Sequence, residues 1–224
     1  MLYFLAVQNT FQHFEIALFN SAVLIDSKQR DKHDTSSLFI PFLNTLLTNH
    51  KIAINELNFI VVNQGPGPFS TLRSIIASVN GLSFATQIPL IGIDGLQATL
   101  RQYQPSPEQN TIVLLNAFNF DVYFAIKQNN KQAITGYKKI DAFLYDLQTQ
   151  HPDKTWYFIG NGVELYKDQI KNMLADRAII PDPLPSMCTI EHIGIMGLEK
   201  WHTRELSSEL FPLYLKKHSA EIKT

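Results

Sequence analysis

The sequence lacks a second cysteine, a long apolar run and any surplus of charge. Cys188 is the only cysteine among 224 residues, which excludes an internal disulfide and a cysteine metal cluster and favours a reducing, cytoplasmic setting. No apolar run reaches the roughly 20 residues that a membrane-spanning helix needs. The first residues carry no basic leader, so we interpret them as a strand and not as a signal peptide. The formal net charge of −1 argues against unaided nucleic-acid binding, which depends on clustered cations.

The sequence also gives little support for catalytic residues. Seven histidines are present, but no two are spaced to share a helical face as a metal pair. The sequence supports neither Cys188 as a nucleophile nor Asp121 as a base. A Gly-x-Gly-x-x-Ser run resembles a dinucleotide fingerprint, but it lacks a third glycine and its prolines remove N–H donors. We therefore interpret Gly65, Pro66 and Gly67 as a structural turn, and predict neither catalytic residues nor a metal site.

What is present is a full apolar core. Hydrophobic residues make up 45% of the chain and charged residues 17%, which is typical of a globular protein. The length suits one large domain or two small lobes. The segment QPSPEQN at 104–110 is the best boundary. The sequence thus predicts a first lobe over residues 1–103 and a smaller, degenerate lobe over residues 104–224.

The segment from Phe59 to Asp94 organises the chain. It begins with an apolar strand and continues through a Gly/Pro turn into a helix over Ser70–Gln87 and a second strand over Leu90–Ile93. Ser70 is expected to cap the helix through its hydroxyl. A strand–helix–strand of this length predicts a right-handed crossover in a parallel sheet.

The helix over Ser70–Gln87 carries two stripes. One is apolar and can cover the sheet: Leu72, Ile75, Ile76, Val79 and Leu82. The other, which we call the small-residue row, consists of Ser74, Ser78, Gly81 and Ala85. This row either packs inside the domain or lets a second helix approach closely. The residues alone leave both interpretations open.

The remaining sequence predicts the same order of strands and helices in each half of the chain. Before the central segment, we expect strands over Leu2–Val7, Phe14–Asn20 and Ala22–Asp26, a charged loop over Lys28–Asp34, and a helix from Thr35, Ser36 or Ser37 to about Asn49. After it, we expect a helix over Gly95–Tyr103, strands over Thr111–Asn116, Val122–Lys127, Ile134–Ile140 and Thr155–Ile159, and helices over Ala142–Gln148 and Met187–Trp201. A three-stranded meander, helix, strand, helix and strand is the order of a ribonuclease-H-like lobe. Two such lobes predict an α/β fold of the actin/hexokinase/heat-shock-chaperone (ASKHA) type.

These residues support a family resemblance. The run QGPGPFSTLR over Gln64–Arg73 resembles the GPGSFTGLR-type signature of the TsaB (YeaZ) family, which belongs to the bacterial threonylcarbamoyladenosine tRNA-modification system. Weaker motifs follow in the family's order: Gly81-Leu82, Ile88-Pro89-Leu90, Gly92, Asn116-Ala117, Asp121-Val122-Tyr123, Gly160-Asn161-Gly162 and Pro212-Leu213-Tyr214-Leu215-Lys216. The resemblance covers nearly the whole chain.

The sequence also departs from that family. The turn after the first strand is Gln8-Asn9-Thr10, without the carboxylate that active superfamily members use to organise metal and phosphates. Asn116 likewise replaces an aspartate, and Pro68 replaces a serine. The alternative, a small-molecule kinase or phosphatase of the ASKHA superfamily, is disfavoured by these replacements.

The resemblance implies a non-catalytic scaffold in tRNA modification of the adenosine beside the anticodon. Its partners would be a TsaD-type transferase, a TsaE-type ATPase and, when alone, a second copy, with tRNA reached only through the complex. No cofactor is expected, although residual nucleotide binding at the complex interface stays open. The basic tail, Lys216, Lys217, His218 and Lys223, is interpreted either as a solvated end or as a tRNA contact. The helices at Ser37–Asn49 and Ser70–Gln87 should form the partner interface through Phe39, Leu43, Leu46, Ser70, Arg73, Ser74, Ala77, Ser78, Gly81 and Ala85.

Overall fold

The computed structural model describes residues 1–31, 35–129 and 131–216. The chain divides into two compact units. The first combines Met1–Gly95 with Thr189–Leu213, and the second combines Leu96–Cys188 with the chain from Tyr214. These units differ from a division at residue 103, because the helix after residue 95 groups with the second unit and a late helix returns to the first.

The first unit is built on a five-stranded mixed sheet in the order β3-β2-β1-β4-β5. Its strands are β1 (Tyr3–Asn9), β2 (His13–Asn20), β3 (Val23–Asp31), β4 (Leu57–Asn63) and β5 (Leu90–Ile93). The first three strands are antiparallel neighbours. β4 and β5 continue the sheet in parallel with β1. The parallel crossover from β4 to β5 is therefore confirmed.

The second unit repeats this topology in the order β10-β9-β6-β7-β8. Its strands are β6 (Thr111–Asn116), β7 (Asp121–Lys127), β8 (Ile134–Lys139), β9 (Trp156–Ile159) and β10 (Ala178–Ile179). Again three antiparallel strands are followed by two parallel ones. Both sheets place the first strand of the meander at the centre. This shared order confirms two ribonuclease-H-like lobes of the ASKHA type.

Seven α-helices complete the described part of the chain. They are α1 (Thr35–Asn49), α2 (Phe69–Thr86), α3 (Gly95–Tyr103), α4 (Ile140–Gln150), α5 (Asn161–Leu165), α6 (Lys167–Leu174) and α7 (Ile190–His202). Short 3-10 turns cover Ile54–Glu56 and Ala175–Arg177. Within the described ranges, no helix is both long enough and apolar enough to span a bilayer.

The first sheet has two covered faces because its central strands are apolar on both sides. α1 and α2 pack against each other and contribute to one core cluster with alternate residues of β1 and β4. On the opposite face the rings of Phe4, Phe19, Phe59 and Trp201 stack on one another, and Trp201 brings α7 to the sheet. In the second unit, α4, α5 and α6 contribute to the core cluster around Trp156.

Three local predictions need correction. β1 continues through Asn9, and β3 continues through Asp31, so residues 28–31 belong to a strand and not to a loop. β3 lies at the edge of the sheet. Alternate side chains of such an edge strand can face water or the core. Residues 32–34 of the predicted loop lie outside the described residues. Ser70 does not cap α2, because the helix begins one residue earlier, with Pro68 at the N-cap.

Candidate functional site

The predicted interface splits into a buried part and an exposed part. Phe39, Leu43 and Leu46 of α1 are at most 1% exposed and belong to the core of the first unit. They are not accessible to a partner in this conformation, because they lie in the core that α1 forms with α2 and the sheet. The surface of α1 instead presents Ile40, which is 48% exposed, and Asn44.

The exposed part lies on α2. Ser70, Arg73, Ala77, Gly81 and Ala85 are exposed. Ser74 and Ser78 are half-buried, and the hydroxyl of Ser78 donates to the carbonyl of Ser74 at 2.9 Å. The helix therefore buries most of its apolar stripe, and the small-residue row is exposed at Gly81 and Ala85 and half-buried at its two serines.

Gly81 decides between the two interpretations of the small-residue row. A Cβ placed on Gly81 would meet no other atom within 4 Å. The row is therefore not packed inside the first unit at this point, and the backbone of α2 is open to approach from outside. Small residues at such a position let a second helix come close.

Two exposed aromatic residues lie on the same helix, one before this row and one within its span, and were not singled out from the sequence. Phe84 is 83% exposed. Phe69 is 39% exposed, and the guanidinium of Arg73 lies 3.7 Å from the centre of its ring. Phe84 could have been found from the sequence because it lies outside the apolar stripe of the helix, where an aromatic residue has no packing role. Aromatic residues and arginine are enriched at protein interfaces.

A cavity of about 820 Å³ opens beside the C-terminal half of α2. It is lined by Gly81 and Phe84 from the helix, and by Leu206 and Glu209 from the segment that follows α7. That segment is held by Asn80, whose amide exchanges hydrogen bonds with the backbone of Leu210 at 2.9 and 3.0 Å. The small-residue row thus ends at a concave surface, which can accept a protruding side chain.

The turn before α2 is ordered by its glycine. Gly65 has φ 97°, and a Cβ there would lie 2.7 Å from Leu72 Cδ2. Its N–H donates to Asn63 Oδ1 at 2.9 Å, and its carbonyl accepts from the N–H of Gly95 at 2.8 Å. A Cβ placed on Gly67 would instead lie 3.5 Å from the nearest atom, a backbone carbonyl oxygen, which is an ordinary contact distance. The strict steric requirement for glycine in this turn therefore lies at Gly65, beside the buried Pro66.

Amides occupy the ends of β1 and β4, where a catalytic carboxylate would be expected. Asn63 Nδ2 donates to Gln8 Oε1 at 3.2 Å, and Gln8 Nε2 donates to Glu15 Oε2 at 2.6 Å. Asn9 Nδ2 donates to Thr71 Oγ1 at 2.7 Å. Neutral amides cannot hold a divalent cation as carboxylates do. The network ties three strands to α2 and is a structural feature.

Glu15 makes that network sensitive to pH. Burial raises the pKa of its carboxyl above the ordinary value of 4.5, and the hydrogen bond from Gln8 opposes this only in part. The folded protein therefore binds the proton more readily than the unfolded chain, so the free energy of unfolding falls as pH rises above about 4.5 and through the raised pKa.

Glu15→Gln should remove this dependence. The amide oxygen can still accept from Gln8, but no charge is buried, so we expect greater stability at neutral pH and a flatter stability profile above pH 4.5. Urea unfolding between about pH 4 and 8 measures this. Glu108→Gln, at an exposed carboxylate, serves as the control and should leave the profile unchanged. An equal loss of stability at every pH in Glu15→Gln would contradict the assignment.

In the second unit, Asp121 forms an ion-pair cluster with two lysines. Lys216 Nζ lies 2.6 Å from Oδ2 and Lys139 Nζ lies 3.2 Å from Oδ1. Burial opposes ionisation of Asp121, but the hydrogen bonds from Lys216 and Lys139 outweigh it and lower the pKa of the carboxyl. Asp121 is thus held as a paired carboxylate and is unsuited to act as a base at neutral pH. Of the basic tail, Lys216 contributes this contact, and Lys217, His218 and Lys223 lie outside the described residues.

Metal-binding geometry is missing from residues 1–31, 35–129 and 131–216. No three of their His, Cys, Asp or Glu side chains are grouped so as to hold a metal ion. Cys188 is buried, which keeps its thiol away from a substrate, and its backbone N–H donates to Thr99 Oγ1 at 3.1 Å. Asn116, which stands where the resembled family has an aspartate, uses its Oδ1 to accept from the N–H of Phe118 at 2.8 Å.

Comparison with protein families agrees with this architecture. The model of the TsaD family, described as tRNA N6-adenosine threonylcarbamoyltransferase, matches residues 30–224. The chain is 27% identical over 171 residues to the tRNA threonylcarbamoyladenosine biosynthesis protein TsaB of Buchnera aphidicola subsp. Schizaphis graminum, covering 70% of this chain and 78% of that protein. It is 22% identical over 197 residues to the Escherichia coli K12 protein of the same name, covering 82% and 85%.

Solved structures from Pseudomonas aeruginosa share the fold. One, described as an uncharacterized protein with similarity to peptidase YEAZ, superposes with a TM-score of 0.74 at 19% identity. Another, described as YeaZ, gives a TM-score of 0.71 at 21% identity. Each comparison covers 96% of this chain and 100% of the other. At these identities the likeness establishes the architecture alone.

Proposed function

The chain belongs to the TsaB (YeaZ) family of tRNA threonylcarbamoyladenosine biosynthesis proteins, and on that premise we propose that it is a non-catalytic scaffold for a TsaD-type transferase. The transferase would carry the chemistry, and this chain would hold it in its working assembly. The observation that carries the proposal is the exposed end of the small-residue row of α2, where Gly81 leaves the helix backbone open to a partner.

The residues of the first unit also support a scaffold role for this chain, with the chemistry carried by the transferase. A shape-complementary surface needs exposed contacts, and α2 offers the exposed rings of Phe69 and Phe84 on the helix that carries the small-residue row. Active members of this fold use a carboxylate at the end of β1, and this chain has Gln8 and Asn9 there. The nearby Glu15 carboxylate, on β2, accepts a hydrogen bond from Gln8 Nε2. We infer that this surface serves binding, and that the protein uses no cofactor of its own.

We extend the proposal to the other partners. A TsaE-type ATPase would join the assembly, and a second copy would occupy the α2 surface when the transferase is absent. The net charge of −1 supports contact with tRNA only within the complex, because affinity for RNA grows with each phosphate neutralised. The lone cysteine is consistent with work in the reducing cytoplasm.

Co-purification with the transferase tests the proposal directly. Tagged wild-type chain should retain an untagged transferase through washing. Ala77→Arg, on the exposed face of α2, should abolish retention because a long cationic side chain prevents close approach. Ala53→Arg, at another exposed alanine of the same unit, is the matched control and should retain the transferase. Failure of the wild-type chain to retain it, or equal retention by Ala77→Arg, would refute this arrangement.

The purified chain should also be catalytically silent. We expect no ATP hydrolysis and no tRNA modification above background, because amides replace the carboxylates that organise metal and phosphates in active members of this fold. Both activities are measured with the chain alone and again with the transferase and ATPase added. Turnover that follows the chain through every purification step and disappears in Asn9→Ala would favour the kinase or phosphatase alternative.

A further inference from the structure

The turn between β6 and β7 has an unusual backbone. Phe118, Asn119 and Phe120 are three consecutive non-glycine residues in the left-handed region, with φ of 58°, 53° and 61°. Asparagine adopts this conformation readily, but phenylalanine does so at a cost. Such strain persists only where the surrounding structure enforces it, and it is concentrated at functional sites. The second unit therefore maintains this turn against local preference.

Backbone hydrogen bonds close the turn. The N–H of Ala117 donates to the carbonyl of Asp121 at 3.0 Å, and the N–H of Asp121 donates to the carbonyl of Phe118 at 2.9 Å. The N–H of Ile140 donates to the carbonyl of Phe120 at 2.9 Å. These contacts join the turn to itself and to the start of α4, so its tip is held at both ends.

Two lysines fix the same turn from its side. Lys139 Nζ donates to the carbonyl of Asn119 at 2.6 Å, and Lys216 Nζ donates to the carbonyl of Ala117 at 3.3 Å. Both also bind the carboxylate of Asp121. An ammonium group has three N–H donors, so each lysine keeps one donor beyond these two contacts. Two ammonium groups and one carboxylate leave this cluster with a net charge of +1.

The side chains at the tip are apolar and yet largely exposed. Phe118 is 50% exposed and Phe120 is 71% exposed. Turn tips favour glycine, asparagine, aspartate and serine, which reach left-handed angles cheaply and remain hydrated. Two phenylalanines at such a tip combine backbone strain with exposed apolar surface. They are therefore placed for contact with something outside the chain.

Aromatic faces beside oriented cations suit one ligand in particular. Proteins recognise single-stranded RNA by stacking unpaired bases on aromatic rings and by holding the adjoining phosphates on basic side chains. We propose that this aromatic turn, residues 118–120, contacts unpaired nucleotides of the tRNA, with bases stacked on Phe118 and Phe120 and a phosphate accepted by Lys139 and Lys216. The proposal deepens the scaffold function. It rests on that function, because the tRNA would be bound by the complex with the transferase.

The size of this site limits what it can do alone. A net charge of +1 in the cluster and −1 over the whole chain gives weak affinity for a polyanion. The turn is thus an auxiliary contact, which orients RNA that another subunit has already bound. Its contribution should appear as a change in the affinity of the assembled complex for tRNA.

The decisive experiment separates stacking from simple apolar contact. Double variants Phe118→Tyr/Phe120→Tyr and Phe118→Leu/Phe120→Leu are compared with wild type in the complex with the transferase, using fluorescence anisotropy of labelled tRNA. Tyrosine keeps the aromatic face and should keep the affinity. Leucine keeps apolar surface but loses the ring, and should weaken tRNA binding about tenfold or more. Phe211→Leu, at an exposed phenylalanine of the other unit that lies outside the α2 surface, is the control and should not change the tRNA affinity of the complex.

A second measurement does not depend on the transferase. Isolated chain is irradiated at low salt with tRNA containing 4-thiouridine, and the crosslinked peptides are sequenced. Crosslinks at residues 118–120 support the site even if no transferase complex forms. Failure of that complex to form would refute the scaffold function only. Crosslinks confined to other segments overturn the site. Leucine variants that lose the transferase while tRNA affinity per assembled complex stays constant would also overturn it, because the turn would then bind protein.

Discussion

Gly197→Ala should destabilise the first unit by about 2 kcal/mol, the middle of the range for overpacking a core. Gly197 lies in α7, and a Cβ there would overlap the side chain of Val61, which is 0% exposed in β4, beside the central strand β1. α7 must move outward to accept the methyl group, and that movement also separates the stacked rings of Phe59 and Trp201. The better helix propensity of alanine, roughly 0.5–1 kcal/mol, offsets only part of this cost.

The same substitution on the other helix should have the opposite sign. Gly81→Ala in α2 places its methyl group in open space, so the propensity gain remains and stability should rise by about 0.5–1 kcal/mol. The chain has two tryptophans, and Trp156→Phe as the background leaves Trp201 as a fluorescent reporter of the first unit during urea unfolding. Equal changes in the free energy of unfolding in Gly197→Ala and Gly81→Ala would mean that α7 packs less closely against β4 than the structure shows.

Gly81→Leu should weaken the complex with the transferase at least about tenfold, while the free chain keeps its fold. A leucine side chain on the exposed row would separate two helix backbones at their closest point, and overpacking of that kind costs roughly 1–3 kcal/mol. In the free chain the side chain enters solvent, and the helix propensity of leucine favours folding. Binding and stability should therefore change in opposite directions.

Paired measurements test that separation. Affinity is measured by titration of the transferase, and stability by thermal unfolding at low concentration, where self-association is minimal. Gly81→Ala is the matched control, since it changes propensity with little added volume and should bind nearly as wild type. If Gly81→Leu unfolds at markedly lower temperature, the row packs within the domain and the interface assignment is wrong. Unchanged affinity would instead place the transferase on another surface.

Local pattern was enough to predict most elements of this protein. Runs of branched apolar residues predicted β4 and β5, and Gly95–Tyr103 was predicted for α3 with the bounds it has. The order of meander, helix, strand, helix and strand was sufficient for the ribonuclease-H-like lobes, because short connections restrict which strands can be neighbours. The run around Gly65–Pro68 was sufficient for the family.

The sequence was less informative about faces and edges. Residues 28–31 carry charges that a loop and an edge strand share, and only pairing with β2 identified them as strand. Phe39, Leu43 and Leu46 resemble any apolar stripe, and whether such a stripe meets the chain's own sheet or a partner depends on packing between distant segments. The structure buried all three, while the transferase contact through α2 stays a prediction.

What the sequence by itself determined was therefore the succession of helices and strands, the type of fold and the family, since these follow from periodicity and from residues adjacent in the chain. What the tertiary structure decided was the environment of individual residues. Gly81 and Gly197 are both glycines within helices, yet one faces open space and the other touches Val61. Asp121 meets Lys216 across 95 positions. Such contacts join segments far apart in the chain, so the free energy they contribute depends on three-dimensional packing that no local pattern records.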